Sequence, residues 1–213
     1  MSAFLFWVAV GVVSGVVFAS FFEWTLHRFV MHKPVPFFRY PFQSHAVVHH
    51  REFRADHTYQ DLTGEKKDII PMAWWNGPVL VAACGAPFLV AAWWTSRWPL
   101  LWGALMAIAC YYATYEYLHW CMHLPRGRNL ERSGIFFRLN GHHLLHHRYM
   151  HKNFNVVLPL ADLCLGTLLL RSKVQFAQAR GPAVPDVQPL PGRRNWFASG
   201  TRLVWQILAG VRR

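Results

Sequence analysis

Thirteen histidines stand in this 213-residue chain, and their spacing is its first chemical signal. They read HRFVMH (His27, His32), SHAVVHH (His45, His49, His50), HWCMH (His119, His123) and GHHLLHH (His142, His143, His146, His147), with His57 and His151 outside these runs. Neutral imidazole is a strong ligand for divalent transition metals. On an α-helix, residues i and i+4 differ by only about 40° in azimuth. His45 with His49, and His119 with His123, can therefore point to one place, and His143, His146 and His147 share a face. His27 and His32 lie about 140° apart around a regular helix and need a helix end or a distortion to converge. A metal takes about three to six such ligands, whereas at least eight imidazoles can converge here. The arithmetic points to two metals.

Any one histidine alone is more often a surface or interfacial residue. His57 and His142 are read that way, and His151 is left open. Three carboxylates accompany the histidines. Glu23 precedes His27 by four residues, Glu116 precedes His119 by three, and Asp162 lies in a later apolar run. A carboxylate at membrane depth is costly unless partnered. All three are read as groups that orient histidines, with direct ligation and helix-surface pairing as the alternatives.

The elements that must position these groups are apolar. Residues 3–22 carry no charge and are long enough, as a helix, to cross roughly 30 Å of hydrocarbon. A cleaved signal peptide fits poorly, because no basic segment precedes the run and no small-x-small cleavage site follows it. Runs at 78–94 and 98–118 are separated only by Thr95-Ser96-Arg97 and read as a helical hairpin, with Pro87 as a kink site. Trp74 and Trp75 at one end, and Trp93, Trp94 and Trp98 at the other, resemble interfacial aromatic belts. The run 156–170 contains Pro159, Asp162 and Gly166, and reads as a buried or re-entrant segment rather than a fourth span. The expected fold is all-α: an integral membrane protein of about three transmembrane helices, one plus a hairpin, with a helical cap holding the histidines. The domain reading is a membrane-embedded unit over 1–170, a Pro/Gly/Arg-rich linker or strap over 171–195 and an amphipathic interfacial helix over 196–213.

Composition agrees. Hydrophobic residues make up 54% of the chain and charged ones only 15%, below the roughly 25% of soluble domains. This excludes a disordered chain and argues against a water-soluble globule. The four cysteines stand singly, without a disulfide-scaffold spacing. The net charge is +12, from 22 Lys/Arg against 10 Asp/Glu. With three spans, 21 of the 22 basic residues fall on the histidine side and only Arg97 opposite. The positive-inside tendency makes that side the cytoplasm, with the N-terminus opposite. Charge is thereby explained by topology, and no nucleic-acid-binding signature stands beside it.

The wording of the clusters, EWTLHRFVMH, SHAVVHHREF, YEYLHWCMH and GHHLLHHRYM followed by FNVVLPLADLCLGT, resembles the fatty acid hydroxylase/sterol desaturase superfamily of membrane di-iron enzymes over residues 20–170. The resemblance implies an oxidoreductase, with His27, His32, His45, His49, His50, His119, His123, His143, His146 and His147 as ligands of two iron ions. Zinc could replace iron after purification. It also implies dioxygen as co-substrate and hydroxylation of an unactivated C–H bond in a membrane lipid. A desaturase outcome, a carotenoid ring and a sterol are the alternatives that related spacings leave open. The chain shows no flavin or nicotinamide fingerprint, so electrons are expected from a separate ferredoxin or cytochrome with its reductase, docking on the basic face. Two departures stand out. Three residues separate His45 from His49-His50 where two is common, and three spans are counted where many relatives have four. The lack of a retention signal leans toward a bacterial inner membrane. A metal transporter would carry histidines within its spans, whereas here all thirteen lie outside them. An inactive scaffold would be expected to have lost ligands.

Overall fold

A computed structural model of the chain describes residues 2–170, all helices, turns and connecting segments. The expected linker at 171–195 and the amphipathic helix at 196–213 lie outside the described residues. Among the described residues, seven α-helices run in the order α1 Ser2–Leu26, α2 Tyr40–Phe42, α3 His50–Glu52, α4 Asn76–Thr95, α5 Trp98–His123, α6 Gly134–Arg148 and α7 Leu160–Cys164. Two π-helical segments, His27–Met31 and Gln43–His49, are inserted among them.

Two of the long helices, α1 and α4, invert the usual distribution of residues. In α1 the buried positions are Gly11, Gly15, Ala19, Ser20 and Trp24, one face at a spacing of about four. Phe4, Leu5, Phe6, Val13 and Val17 face outward. α4 likewise buries Gly77, Cys84, Gly85 and Ala92, and exposes Val79, Leu89, Val90, Trp93 and Trp94. Small residues inside and large apolar ones outside suit helices that pack within lipid, where close backbone approach replaces the hydrophobic drive. The approach of α1 to α5 is close indeed. A Cβ built on Gly103 would lie 2.2 Å from the carbonyl oxygen of Val8, and one on Gly11 would lie 2.1 Å from that of Leu100.

Residues 2–31 and α4 are long and apolar enough to cross a membrane. The third expected span, α5, is a 26-residue helix, but Tyr111, Tyr112, Tyr115, Glu116, Tyr117 and His119 make its second half polar. α4 and α5 form the expected hairpin. Ser96 closes α4 in the left-handed conformation at φ 57°, its N–H on the Ala92 carbonyl, and Pro99 lies in the first turn of α5, where its missing N–H costs nothing. Pro87 sits inside α4 without ending it. The run 156–170 does not form a long helix: Pro159 leads into the five-residue α7, with Ala161 and Asp162 fully buried.

The remaining segments form a cap over one end of the long helices. Its interior is built on Tyr115, Leu118, Cys121, Met122, Phe136 and Val156, and on Phe53, Ile70 and Leu124. Ser133 caps α6, accepting from the Phe136 N–H at 3.1 Å, and α6 carries the last histidine cluster into the cap.

Candidate metal centre

The ten histidines singled out from the sequence come together in two groups of five. His27, His32, His45, His50 and His146 form the first; His49, His119, His123, His143 and His147 form the second. Within each group the ligand-capable atoms lie within 4.8 Å of one another. All ten are buried except His32, which is half-buried.

The backbone explains the division. The His32 N–H bonds to the His27 carbonyl at 3.1 Å, the i→i+5 bond of a π-helix, and this supplies the distortion that brings a five-residue spacing onto one side. A second π segment does the same for His45 and His50, the His50 N–H bonding the His45 carbonyl. It absorbs the extra residue of the SHAVVHH run. The consequence corrects two pairings expected from α-helical spacing. His45 and His49 stack at 5.2 Å but belong to different groups. On α6, His143 and His147 join the second group while His146, about 100° from His147 around the helix, turns to the first. His119 and His123 stay together, since α5 is regular there.

Three histidines lie outside the groups. His57 and His151 are exposed. His142, expected at the surface, is instead buried, with its Nε2 3.2 Å from Asp162 Oδ2.

Four imidazoles are fixed by backbone carbonyls. His27 Nδ1 meets Phe154 O, His123 Nδ1 meets Tyr59 O at 2.8 Å, His146 Nδ1 meets Lys152 O at 2.8 Å, and His147 Nδ1 meets Phe53 O. A carbonyl only accepts, so these Nδ1 atoms carry the hydrogen and the neutral rings present Nε2 lone pairs inward. Seven Nε2–Nε2 pairs then stand 2.8–3.2 Å apart. Around His143, the Nε2 atoms of both His123 (3.1 Å) and His147 (3.0 Å) face one Nε2 that can offer a single hydrogen. At least one lone pair therefore faces another, an arrangement that a cation relieves. Separations near 3 Å also match the edge of an octahedron with arms of about 2.1 Å. The donor set fits two metal ions held by imidazole.

Electrostatics keep the rings neutral. Burial, then the neighbouring imidazoles, push His45, His49, His50, His143 and His147 well below the ordinary value. Burial lowers His32 to about 4, and burial with His32 nearby lowers His146 to about 3.

The carboxylates divide. Glu23 accepts from the Tyr111 hydroxyl (2.6 Å), Asn155 Nδ2 (3.0 Å) and the Val156 N–H (2.6 Å). Glu116 accepts from the Tyr112 hydroxyl (2.8 Å) and the Met72 N–H (3.3 Å). Among the described residues neither hydrogen-bonds an imidazole, which corrects that part of the expectation; they tie helices and loops together instead. Asp162 accepts from the Phe154 and Asn155 N–H groups (2.9 and 2.8 Å), the Thr167 hydroxyl (2.6 Å) and His142. It thereby holds the segment whose Phe154 and Lys152 carbonyls fix His27 and His146. Burial alone would raise its pKa, but these hydrogen bonds hold it below the usual carboxylate value. The carbonyls of Phe53, Tyr59, Lys152 and Phe154 were not foreseen, because every residue carries one and no sequence signal marks those that are used. The Tyr112–Glu116 bond was legible as an i, i+4 pair.

An apolar pocket lies between α1, α4 and α5, enclosing about 610 Å³ of space, part of it open to the outside. Ala19, Leu26, Leu80, Val81, Cys84 and Ile108 line it, and it reaches His27 of the first group.

Helices of membrane-spanning length stand beside two groups of five imidazoles, each of which could hold a metal ion. The chain belongs to the fatty acid hydroxylase family, whose model matches residues 12–167; this is a family of membrane-bound di-iron oxidoreductases. The chain is 28% identical over 160 residues to the dihydroceramide fatty acyl 2-hydroxylase of Arabidopsis thaliana, an alignment covering 74% of this chain and 60% of that protein. It thus spans less than two thirds of that relative's length. No solved structure matches it.

Proposed function

We propose that this protein hydroxylates an unactivated C–H bond in the acyl chain of a membrane lipid, using dioxygen at a di-iron centre. The apolar pocket ending at His27 carries this reading. Its walls are largely apolar, with Glu23 and three tyrosines among them, the kind of lining that small-molecule sites show, and it lies between helices read as crossing the lipid. The similarity to a fatty acyl 2-hydroxylase supports the same substrate class.

The first group would hold one iron through His27, His32, His45, His50 and His146, the second another through His49, His119, His123, His143 and His147. When bound, the pair supplies the redox chemistry that activates dioxygen. The protein's own part is to fix ring orientation through the Phe154, Tyr59, Lys152 and Phe53 carbonyls, to keep water from the buried groups, and to hold an acyl chain against His27. Hydroxylation consumes one dioxygen, two electrons and two protons per C–H bond and releases one water. The electrons come from a separate ferredoxin or cytochrome on the basic face. In this reading α1, α4 and α5 all span, and the side of the membrane that would then carry 21 of the 22 Lys/Arg is the cytoplasm.

The test is expression under iron-replete conditions with a matching electron donor, followed by mass spectrometry of the total lipid extract beside a His146→Ala/His147→Ala variant. An acyl lipid gaining one oxygen only with the intact protein supports hydroxylation. Loss of two hydrogens instead would make the protein a desaturase. An oxidised carotenoid or sterol would replace the acyl substrate, and no difference despite two bound metals per chain would refute the reading.

A further inference from the structure

The segment Lys33-Pro34-Val35-Pro36-Phe37-Phe38-Arg39 follows the first π segment and contributes no metal-ligating histidine. It forms a tight turn, with the Phe38 N–H on the Val35 carbonyl at 3.1 Å. Pro36 occupies the second position and Phe37 the third, at φ 64°. That is the arrangement of a type II turn, whose third position favours glycine or asparagine, and a bulky residue there is a genuine outlier. The phenyl ring is also fully exposed, at 106% of its reference area, with Phe38 half-exposed beside it. A strained backbone thus presents an aromatic ring to the outside, and both features disfavour this sequence in water.

The turn sits at a definable level. Tyr40, immediately after it, accepts from the Ala73 N–H at 3.1 Å, and its ring lies 5.5 Å from that of Trp75, just ahead of α4. Trp74, 81% exposed, belongs to the same collar. Lys33 and Arg39 flank the turn, Lys33 lying 5.2 Å over the ring of Phe29. Met31 and Met72, at the two margins of this region, line the apolar pocket.

We propose that the Val35–Phe38 turn is a membrane-inserting tip: Phe37 and Phe38 enter the acyl–headgroup boundary of the leaflet on the histidine side, and Lys33 and Arg39 meet its phosphates. The partner is the lipid surface. Aromatic rings prefer that boundary, a basic and aromatic surface segment binds it, and fastening to the start of α4 places the tip at that depth. The inference rests on the reading that α4 spans the bilayer.

The experiment keeps the two apart. In a Cys110→Ser/Cys164→Ser background, which leaves only the buried Cys84 and Cys121, a nitroxide is attached singly at Phe37→Cys, Val90→Cys and His57→Cys. The full chain is reconstituted into vesicles of phosphatidylcholine and phosphatidylglycerol. Accessibility to oxygen and to a water-soluble nickel chelate is then read by power saturation. Val90 is exposed in mid-α4 and His57 is exposed on the cap, so they serve as lipid and water references. Position 37 is expected to give an oxygen-to-nickel ratio several-fold above position 57, approaching position 90. A ratio at 37 equal to that at 57, with 90 in lipid, overturns the insertion and leaves the spanning reading intact. A water-like ratio at 90 removes the spanning reading and the proposal with it. Immobilisation at 37 with access to neither reagent means a protein covers the turn, and also overturns the proposal.

Discussion

The backbone N–H of His50 bonds to the carbonyl of His45, and the Nε2 atoms of the two rings stand 3.1 Å apart. His49, the neighbour of His50 in sequence, instead reaches His119 at 3.1 Å in the other group. Adjacent residues therefore serve different sites. His49→Ala and His50→Ala should each lower metal content from two per chain toward one, and the double variant toward none. Metal analysis of the purified proteins checks this, and emptying of both sites by either single substitution would contradict the division.

Asp162 touches neither Nε2 cluster directly, yet it holds the segment whose carbonyls fix His27 and His146. Both belong to the first group. Asp162→Ala is expected to weaken the first site about 10–100-fold, the usual effect of losing an outer partner of a ligand, while the second keeps its metal. Chelator competition followed by metal counting separates the two sites. Equal loss from both would mean that the substitution loosens the whole cap.

Glu131 provides a pH signature away from the metal centre. Burial alone would raise its pKa, but the Arg128 guanidinium and the N–H groups of Arg126, Gly127 and Arg128 hold it below the usual 4.5. A carboxyl lowered in the folded state stabilises fully above its unfolded value and loses that contribution as pH falls through the folded one. Glu131→Gln should therefore cost about 1–3 kcal/mol at pH 7. Thermal unfolding of the two proteins should converge as the pH drops below the ordinary carboxylate value.

The close approach of α1 and α5 predicts a steric asymmetry between glycines. Gly103→Ala places a methyl group against the Val8 backbone and should destabilise by about 1–3 kcal/mol, the usual cost of overpacking, visible as a lower unfolding temperature in detergent. Gly134→Ala is the control, because nothing lies within 4 Å of its added Cβ. Equal effects from the two would refute the tight contact.

Much of this protein was legible from the sequence alone. Uncharged runs of spanning length and a short hairpin turn are local properties, readable without contacts. Spacing also indicated that at least eight imidazoles can converge, while the set of ten came from the resemblance to the fatty acid hydroxylase/sterol desaturase superfamily. The partition of those ten was not legible. Azimuth counting assumes 3.6 residues per turn, and two i→i+5 bonds break that assumption where it matters. They unite His27 with His32 and His45 with His50, and release His49 to the second group. Sequence set His142 apart from the three α6 histidines that turn inward, but it could not show that His142 is buried against Asp162 rather than at the surface. Which backbone carbonyl meets which Nδ1 is set by how the cap folds over the helices. Sequence therefore determined which residues could do the chemistry, whereas tertiary structure decided how they divide, because helix phase and carbonyl placement depend on contacts between segments more than a hundred residues apart, as between His27 and Phe154.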